Sequence, residues 1–403
     1  MKLNKSFFHV LFFILFIYSG MIKWFPWPVD PTLLFALCLS ISSLFYLRTL
    51  SKREFKVTKV LFICMLFSFW MLLGVGYTSS KIFVWEKVQG FVLAILAFVI
   101  PIFTMTKEKY LVTFRQAFNM LWVVALVILV LGYLQNGLAY VTGEVFTDND
   151  KYPDYLVVGE FLGLGIILNF NNPDKRVMIM KIISLALMIV IGGRGPILFL
   201  LPTYLIYAYH KYNFGKIRLS GLFAAIVFVG GFAYVVFFSS FGSLTVGRFI
   251  KAAQSSDEDK SLVDRFVAWN HAFDMIQSSP VTGVGFGAFG VEAYGTDVNE
   301  YPHNILLEVA AEGGMVGLVL VLWLLFAIFR PRWRWIKDGH IGAMFLLVGF
   351  FFTMQYLKAN GLIDSRRIFW VFGIILAYHR AIFWKIDSST SEQVEPHAQS
   401  SLS

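Results

Sequence analysis

The sequence predicts an all-α, polytopic integral membrane protein, and three observations predict it. The 403-residue chain is 58% hydrophobic and only 15% charged, whereas soluble domains are nearer half and a quarter. Its apolar runs have the length of membrane helices, because a helix needs roughly 20 residues to cross the hydrocarbon core. Its positive charges concentrate in alternate loops, as the positive-inside rule requires. By these criteria we count about twelve transmembrane helices.

Each predicted helix is an apolar run bounded by charged residues, proline or glycine. The runs cover residues 6–22, 31–47, 60–77, 88–104, 112–134, 154–170, 177–192, 195–210, 219–240, 304–329, 341–357 and 367–384. The first run follows Lys2 and Lys5 and therefore resembles the start of a signal peptide. We interpret it as a retained helix, because residues 17–21 offer no small-x-small cleavage site.

The loop charges predict the orientation. An even number of helices places both termini on one side, and Lys2 and Lys5 place that side in the cytoplasm. The later loops on this side also carry cations, namely Arg48, Lys52, Arg53, Lys56, Lys59, Lys107, Lys109, Lys175, Arg176, Lys211, Lys216, Arg218, Arg330, Arg332, Arg334 and Lys337. The net charge of +9 is thus explained by topology, and no nucleic-acid partner is expected.

The chain divides into four parts. Residues 1–240 contain the first nine helices, residues 241–303 form a large extracytoplasmic loop with interfacial helices, and residues 304–386 contain the last three helices. A loop of about sixty residues far exceeds the usual connection length and tends to be functional or disordered. Its aromatic and patterned apolar residues argue against disorder. The Ser-rich residues 387–403 are predicted to be a disordered cytoplasmic tail.

Arg194 is a cation on the predicted outer face, where the positive-inside rule disfavours one. It lies in a glycine-rich break between two predicted helices, residues 191–196 with the sequence IGGRGP. The glycines and the proline prevent a continuous helix and leave backbone N–H groups beside the guanidinium, which suits an anion such as phosphate. An interfacial arginine in a tight turn is the structural alternative.

Within the large loop, residues 261–279 are predicted to form an amphipathic helix. Its apolar side chains recur at helical spacing, at Phe266, Trp269, Phe273 and Ile276. This stripe is expected to lie on the membrane surface or on the helix bundle. Arg265 stands one turn before Trp269, so its guanidinium could stack on the indole or project into a site beneath. A surface pair of Asp264 and Arg265 is the alternative.

Two further segments follow this helix. Residues 280–287 alternate glycine with apolar residues, a pattern that we interpret as a tight loop more readily than as a phosphate site. His303 ends the large loop at the mouth of the tenth predicted helix. A neutral imidazole is well matched to accepting a proton from a sugar hydroxyl near pH 7. A plain helix-end histidine is the alternative.

The tenth predicted helix carries small and acidic residues in an apolar span. Ala310/Gly314 and Gly313/Gly317 are small-x-x-x-small pairs that allow another helix to approach closely. Glu308 and Glu312 lie in the outer half of the same span. Carboxylates at such depth are functional candidates, and pairing with a nearby cation is the simpler explanation.

Metal, cofactor and nucleotide chemistry find little support. Asp257-Glu258-Asp259 contains the Asp-x-Asp pattern that some sugar transferases use to hold a divalent ion, but its polar surroundings favour a solvated turn. The other histidines show no ligand spacing, and no P-loop occurs, so no metal, cofactor or ATP-driven transport is expected. Cys38 and Cys64 lie in apolar runs and are predicted to be buried thiols.

Four motifs occur in order between the eighth and tenth predicted helices. Arg194 to Leu198 has the form Arg-x-x-x-Leu after a glycine-rich helix end, and Arg265 to Trp269 has the form Arg-x-x-x-Trp. Residues 280–289 contain the glycine-alternating segment. His303-Asn304 is followed after nine residues by Gly314 and then by Gly317. In this order the motifs resemble those of the O-antigen ligase and polymerase superfamily of bacterial envelope glycosyltransferases.

The resemblance implies a GT-C-like enzyme of the bacterial inner membrane with its active site on the periplasmic face. Such enzymes transfer a glycan from a polyprenyl diphosphate, such as undecaprenyl diphosphate, to a hydroxyl of a glycan or lipid-core acceptor, usually without a metal. It implies that Arg194 and Arg265 hold the diphosphate leaving group and that His303 activates the acceptor hydroxyl. Donor, acceptor, bilayer and envelope polysaccharide assembly proteins are the implied partners, in lipopolysaccharide or other polysaccharide biosynthesis.

Several other cations lie on the predicted outer side. They are Lys81, Lys87, Lys358, Arg366 and Arg367. Lys87, Arg366 and Arg367 are our further candidates for binding the acidic sugar or the lipid phosphate. Anchoring of these side chains at the membrane interface is the alternative.

Two other functions compete with a ligase. A polymerase would join repeat units of O antigen, exopolysaccharide or capsule, and several polymerases carry an Arg-x10-Gly pattern in two outer loops. Leu205 and Ile276 stand at that spacing from Arg194 and Arg265, which favours the ligase. A lipid-linked oligosaccharide flippase or other transporter would show polar residues in many helices and an internal repeat. Most helices here are uniformly apolar, and the candidate chemistry clusters around one loop.

Overall fold

The computed structural model describes residues 5–22, 27–47, 59–136, 155–190, 194–212 and 260–394. Within these ranges the regular structure is helical and contains no β-strand. The α-helices in chain order are α1 Lys5–Ile17, α2 Pro31–Leu47, α3 Lys59–Leu73, α4 Phe83–Thr104, α5 Glu108–Asn136, α6 Tyr155–Leu168, α7 Lys175–Val190, α8 Arg194–Tyr212, α9 Lys260–Ser278, α10 Phe289–Tyr294, α11 Ile305–Phe329, α12 Arg334–Lys337, α13 Gly342–Tyr356 and α14 Arg366–Val394. Short 3-10 helices occupy Ser19–Ile22, Gly74–Gly76, Arg330–Arg332 and Leu362–Asp364.

The helices confirm the predicted all-α membrane class. Each predicted span that falls within the described ranges contains a helix, and the span 219–240 lies outside them. In the part of the chain that the structure describes, 4 helical stretches are long and apolar enough to cross a membrane, namely Lys59–Gly76, Phe83–Thr104, Glu108–Leu134 and Ile305–Lys337. Shorter apolar helices are Lys5–Ile17, Pro31–Phe45, Leu156–Leu168 and Gly342–Tyr356.

The last helix is longer than predicted. α14 runs to Val394, so its final turns enter the segment 387–403 that was predicted to be disordered. The reason is that residues 387–394 contain neither glycine nor proline, and Pro396 is the first residue that interrupts a helix. Residues 395–403 lie outside the described ranges.

The centre of the bundle is built on α4, α13 and α14. α14 packs along α4 and against α13, while α11 is contacted by α3 and by α9. Phe369 of α14 meets Phe91 and Phe98 of α4 edge-on, with ring centroids 6.1 and 6.2 Å apart. Gly373 allows this approach, because a Cβ there would lie 2.2 Å from the Phe98 carbonyl oxygen.

α11 is broken at Gly314, where the backbone leaves the helical conformation at φ 63° and ψ −168°. The glycine-alternating segment fills the break, and a Cβ on Gly314 would lie 2.2 Å from the Val281 carbonyl oxygen. Backbone hydrogen bonds join the two segments, from Val284 to Ala311 (2.9 Å), from Gly285 to Glu312 (3.1 Å) and from Met315 to Pro280 (2.8 Å). The segment is therefore the tight loop that we expected, and its N–H groups bind carbonyls freed by the break.

The other glycines of this helix face α3. A Cβ on Gly313 would lie 2.6 Å from the Met71 sulfur, and one on Gly317 would lie 3.4 Å from it. The Trp70 indole donates to the Gly313 carbonyl at 2.7 Å. The predicted close approach of a helix at Gly313 and Gly317 is thus confirmed, whereas Gly314 accommodates a loop.

Candidate functional site

The loop before α11 holds His303 in a left-handed backbone conformation. Its φ is 52°, and among the described residues it is the only non-glycine residue with positive φ. The next residue, Asn304, caps α11 by accepting hydrogen bonds from the backbone N–H groups of Leu306 (3.0 Å) and Leu307 (3.2 Å). A left-handed conformation costs a side-chain-bearing residue about 1–3 kcal/mol and is found most often at functional sites.

The His303 imidazole lies between Tyr301 and the connector between α13 and α14, which we define as residues 357–365. The rings of Tyr301 and His303 have centroids 4.6 Å apart. The Ala359 carbonyl interacts with the imidazole and accepts a hydrogen bond from the Tyr301 hydroxyl at 3.3 Å. A neutral imidazole has one ring nitrogen that can accept a proton, which is the form that a general base requires.

The surroundings of His303 keep its ring neutral at pH 7. Partial burial lowers the pKa of His303 below its ordinary value of 6.5. The Arg265 guanidinium also lowers this pKa, while the Ala359 carbonyl and the carboxylates of Glu300 and Glu308 act in the opposite direction. The net lowering leaves the free nitrogen available to accept a proton.

Arg265 is brought to His303 by the packing of α9 on α11. Ala268 and Ala272 of α9 are buried in a small apolar cluster with Ala311 of α11. One turn after Arg265, the Trp269 indole donates to the Pro302 carbonyl at 2.8 Å, which ties α9 to the loop that carries His303. Arg265 is half-buried, and its guanidinium has no hydrogen bond or ion pair to any described residue.

The apolar stripe predicted for this helix is divided between two environments. Trp269 and Ile276 are partly buried against the bundle, whereas Phe266 and Phe273 are 59% and 49% exposed. The indole of Trp269 contacts the ring of Phe266 edge-on at 5.5 Å. Alanines form the tight contact with α11 because small residues permit close helix packing, so the aromatic side chains are left for the exposed side.

Lys87, a predicted substrate-binding residue, lies inside the bundle. Its Nζ is 2.7 Å from both carboxylate oxygens of Glu312 and 2.5 Å from Glu308 Oε1. All three side chains are about 1% exposed or less. Glu312 also accepts from the Gly287 N–H (3.0 Å), and Glu308 accepts from the Leu362 N–H (2.9 Å). Pairing with a cation, as expected for the two glutamates, is confirmed, and Lys87 cannot reach a ligand without breaking these contacts.

Arg367 is also occupied by an internal contact. Its guanidinium binds the buried carboxylate of Glu160 at 3.0 Å, and the same carboxylate accepts from the Asn360 amide at 2.8 Å. Arg366 lies over the ring of Phe16, 5.1 Å from its centroid, and is partly exposed. Of these two predicted substrate ligands, Arg367 is buried and Arg366 is partly buried.

Arg194 begins α8, and its side chain lies outside what the structure describes. The next residue, Gly195, shows which part of the structure lies beside the start of this helix. A Cβ on Gly195 would lie 2.8 Å from the Gln355 side-chain oxygen and 3.8 Å from Lys358 Nζ. The backbone at the Arg194 motif therefore adjoins the same connector that contacts His303.

The connector between α13 and α14 is the feature that sequence reasoning missed. It joins the start of α8 through Lys358, His303 through Ala359, Glu160 through Asn360 and Glu308 through Leu362. Sequence reasoning singled out only its cation, Lys358. The Asn360-Gly361 pair was an available signal, because this dipeptide marks a tight turn.

No group of three or more His, Cys, Asp or Glu side chains is placed to hold a metal ion within the described ranges. The Asp257-Glu258-Asp259 run lies outside those ranges. Cys38 and Cys64 are free thiols; the predicted burial is confirmed for Cys64, whereas Cys38 is only partly buried.

Comparison with known proteins places the same segment in a family context. Residues 179–322 match the family described as O-Antigen ligase. The chain is also similar to the exopolysaccharide production protein ExoQ of Rhizobium meliloti (strain 1021), with 27% identity over 118 residues. That alignment spans 26% of this chain and 26% of the relative, so only about a quarter of either protein is compared.

These matches confirm the resemblance to the O-antigen ligase and polymerase superfamily and, with the apolar helices, an integral membrane protein. Arg194, Arg265 and His303 all lie inside the matched segment 179–322. Lys87, Arg366 and Arg367 lie outside it.

Proposed function

We propose that this chain is a membrane glycosyltransferase that moves a glycan from a polyprenyl diphosphate onto an acceptor hydroxyl, as an O-antigen or surface-polysaccharide ligase. The reaction takes place on the extracytoplasmic face of the bacterial inner membrane, where the loop that carries Arg265 and His303 is located. In this orientation both termini are cytoplasmic. The proposal keeps the twelve-span, GT-C-like architecture that the sequence predicts.

The observation that carries the proposal is the pairing of a neutral imidazole with an unpaired guanidinium. His303 has its pKa lowered by burial, and Arg265 has no partner among the described residues. A base and an unpaired cation that is near enough to affect its pKa match a reaction in which a hydroxyl loses a proton while a diphosphate gains charge. The buried cations Lys87 and Arg367 lack this freedom, because each is held by carboxylates.

In the proposed step, the free ring nitrogen of His303 accepts the proton of the acceptor hydroxyl. The acceptor oxygen forms a bond to the anomeric carbon of the donor sugar, and the bond between that carbon and the diphosphate oxygen breaks. The polyprenyl diphosphate leaves with the bonding electron pair. Contact with the Tyr301 ring keeps the imidazole oriented during the transfer.

Arg265 and Arg194 are the proposed ligands of the departing diphosphate. A guanidinium offers paired N–H donors that match phosphate oxygens and stays charged when partly buried. Two such groups can compensate the leaving group without a metal ion. Arg366 is proposed to contact the phosphate or the acidic sugar at the edge of this site, and Lys87 and Arg367 are not retained as direct ligands.

Repeat-unit polymerisation is the second candidate, and the comparison with a protein named for exopolysaccharide production favours keeping it. Both candidates use the same donor chemistry and differ in the acceptor. A ligase transfers a finished polymer to a lipid core or other terminal acceptor, whereas a polymerase extends the polymer by one repeat unit at a time.

A deletion strain distinguishes these candidates and the flippase. For a ligase we expect loss of polymer on the acceptor together with long lipid-linked polymer. Single-repeat products would indicate a polymerase, and lipid-linked units retained on the cytoplasmic side would indicate a flippase. Complementation with Arg194→Ala, Arg265→Ala or His303→Ala should fail although each variant is still inserted in the membrane. Wild-type glycan profiles in all three variants would refute the proposed mechanism.

A further inference from the structure

A groove lies at the end of α11 that is remote from His303. α11 and the turns that follow it form Ile305–Lys337, one of the described stretches that are long and apolar enough to cross a membrane. The groove has a volume of about 540 Å³ and is lined by Trp323, Phe326, Ala327, Arg330, Pro331, Trp333 and Arg334. The groove therefore lies at the end of this apolar stretch, where we expect lipid headgroups.

The apolar part of the groove follows one side of α11. The strip begins at Trp323 and continues three, four and seven residues later with Phe326, Ala327 and Arg330. Residues at these spacings lie on the same side of a helix, so the strip is continuous and about two turns long. Trp323 and Phe326 are 50% and 54% exposed. An extended hydrocarbon chain that lies along this strip would cover both aromatic rings and end at Arg330.

The polar end of the groove is positively charged. Arg330 and Arg334 are exposed, and neither makes an ion pair with a described residue. The Arg330 guanidinium lies 4.9 Å from the Phe326 ring centroid, which holds it over the apolar strip. Arg332 adds a third charge beneath, where it donates to the Ala327 and Ile328 carbonyls at 2.6 Å.

The wall of the groove is held by aromatic packing, and its two indoles have N–H donors. Trp333 stacks on His210 of α8 at 5.9 Å and on Phe329 at 6.0 Å, which fixes the wall of the groove. The indole N–H groups of Trp323 and Trp333 make no hydrogen bond to a described residue. Indoles at headgroup depth commonly donate to lipid esters or phosphates.

We propose that this groove binds an anionic phospholipid, with an acyl chain along Trp323, Phe326 and Ala327 and the phosphate at Arg330 and Arg334. The charge complementarity and the length of the apolar strip favour a lipid over a soluble anion. Clusters of basic residues between helices at a membrane boundary bind such headgroups. This site is separate from the proposed transferase site and does not depend on its function.

The test compares lipid retention by the purified full-length protein. Native mass spectrometry measures the fraction that carries phosphatidylglycerol or phosphatidylcholine when both are supplied at equal concentration. We expect preferential retention of phosphatidylglycerol by the wild type. Arg330→Gln/Arg334→Gln should weaken the affinity for phosphatidylglycerol about thirtyfold, since each cation near a membrane surface contributes roughly a factor of five to the affinity for anionic lipid.

Matched variants separate a defined site from general charge attraction. Lys175→Gln/Arg176→Gln removes two exposed cations from the start of α7, outside the groove, and should leave retention unchanged. Ala327→Phe fills the apolar strip without altering charge and should reduce retention. If the double arginine variant is not monodisperse, each single substitution is measured instead.

Three results would overturn the proposal. Equal retention of phosphatidylcholine would show that the headgroup charge is not recognised. Equal losses in the α7 control would show that any neighbouring cations suffice. Displacement of phosphatidylglycerol by an equal concentration of soluble glycerol phosphate would show that the aromatic strip contributes nothing.

Discussion

Two charged clusters near the start of α11 use charge in opposite ways. Lys87 is enclosed with Glu308 and Glu312 and contacts both carboxylates at 2.5–2.7 Å. Arg265 lies in α9 and His303 in the loop before α11, and both pack at the same end of α11. Both side chains are partly exposed, and the Arg265 guanidinium has no hydrogen bond or ion pair to a described residue. The paired cluster can only hold segments together. The unpaired one is the proposed site of binding and reaction.

The two clusters are also connected. Glu308 accepts from the Leu362 N–H in the connector, and three residues earlier the Ala359 carbonyl interacts with His303. Glu312 accepts from Gly287 in the loop that fills the break in α11. The buried charges therefore fix the frame in which the exposed pair acts, so substitutions in the two clusters should have different effects.

The largest effect is expected from His303→Asn. Asparagine tolerates a positive φ and keeps a polar side chain, so the fold should be retained while the base is lost. Transfer should fall by about 10²–10⁴-fold, the usual contribution of a general base. The wild-type rate should itself fall with decreasing pH through a pKa below 6.5, because protonation removes the acceptor nitrogen. A variant rate within a few-fold of wild type would remove His303 from the mechanism.

The next largest effect is expected from Lys87→Met, and it should be on stability. Removing the cation leaves two carboxylates buried together, which costs about 3–5 kcal/mol of unfolding free energy. Denaturant unfolding in detergent measures the loss. Adding Glu308→Gln and Glu312→Gln should recover much of it, since no uncompensated charge then remains. Full stability of Lys87→Met would show that the buried ion pairs are not what secures this end of α11.

Arg265→Ala is expected to lower the transfer rate by about 10²–10³-fold, which is somewhat less than His303→Asn. This is the usual effect of removing one group that stabilises developing charge. Arg265→Lys should recover only part of the activity, because an ammonium lacks the paired donors of a guanidinium. The melting temperature of both variants should match wild type, since the Arg265 guanidinium makes no hydrogen bond or ion pair to a described residue. Arg176→Ala, at an exposed cation on α7, serves as the control. Equal activity of Arg265→Lys and wild type would argue against bidentate phosphate binding.

The smallest effect concerns Asp297, a partly exposed carboxylate that joins the large loop to the segment before α4. Asp297 accepts from the Ser80 hydroxyl (2.6 Å) and from the N–H groups of Lys81 and Ile82 (both 2.7 Å), and these bonds lower its pKa from 3.8 to about 2. The stabilisation is complete above pH 3.8 and is lost as the pH falls through about 2. The difference in unfolding midpoint between wild type and Asp297→Asn should therefore shrink over that interval. A constant difference down to pH 2 would mean that the Asp297 charge plays no part.

The helices could be predicted from sequence because membrane spans depend on local composition. A run of about 20 apolar residues requires no knowledge of its neighbours, and each described span was found where an apolar run predicted it. The buried Lys87 could not be assigned in this way, since its partners Glu308 and Glu312 are more than two hundred positions away in the chain. A lysine on the predicted outer side looks the same whether it faces a ligand or a glutamate.

Packing geometry was the second limit. The aromatic spacing in α9 predicted the apolar face, but alanines make the contact with α11. Small side chains allow the two helix backbones to approach closely, which large aromatic side chains would prevent. The motif with His303 and Gly314 was recognisable as a pattern. That Gly314 breaks the helix to admit a loop, and that His303 adopts a positive φ, depends on tertiary contacts that spacing does not encode.

The most direct test of the account measures activity and stability on the same purified preparations of wild type, His303→Asn, Arg265→Ala and Lys87→Met. Release of polyprenyl diphosphate from a polyprenyl-diphosphate-linked glycan reports the transfer, and thermal unfolding reports the fold. We predict that the first two variants unfold like wild type and release almost no polyprenyl diphosphate, whereas Lys87→Met unfolds earlier and keeps most of its rate per folded molecule. Wild-type release by His303→Asn and Arg265→Ala, with the main loss of activity in Lys87→Met, would contradict the assignment of chemistry to the unpaired cluster.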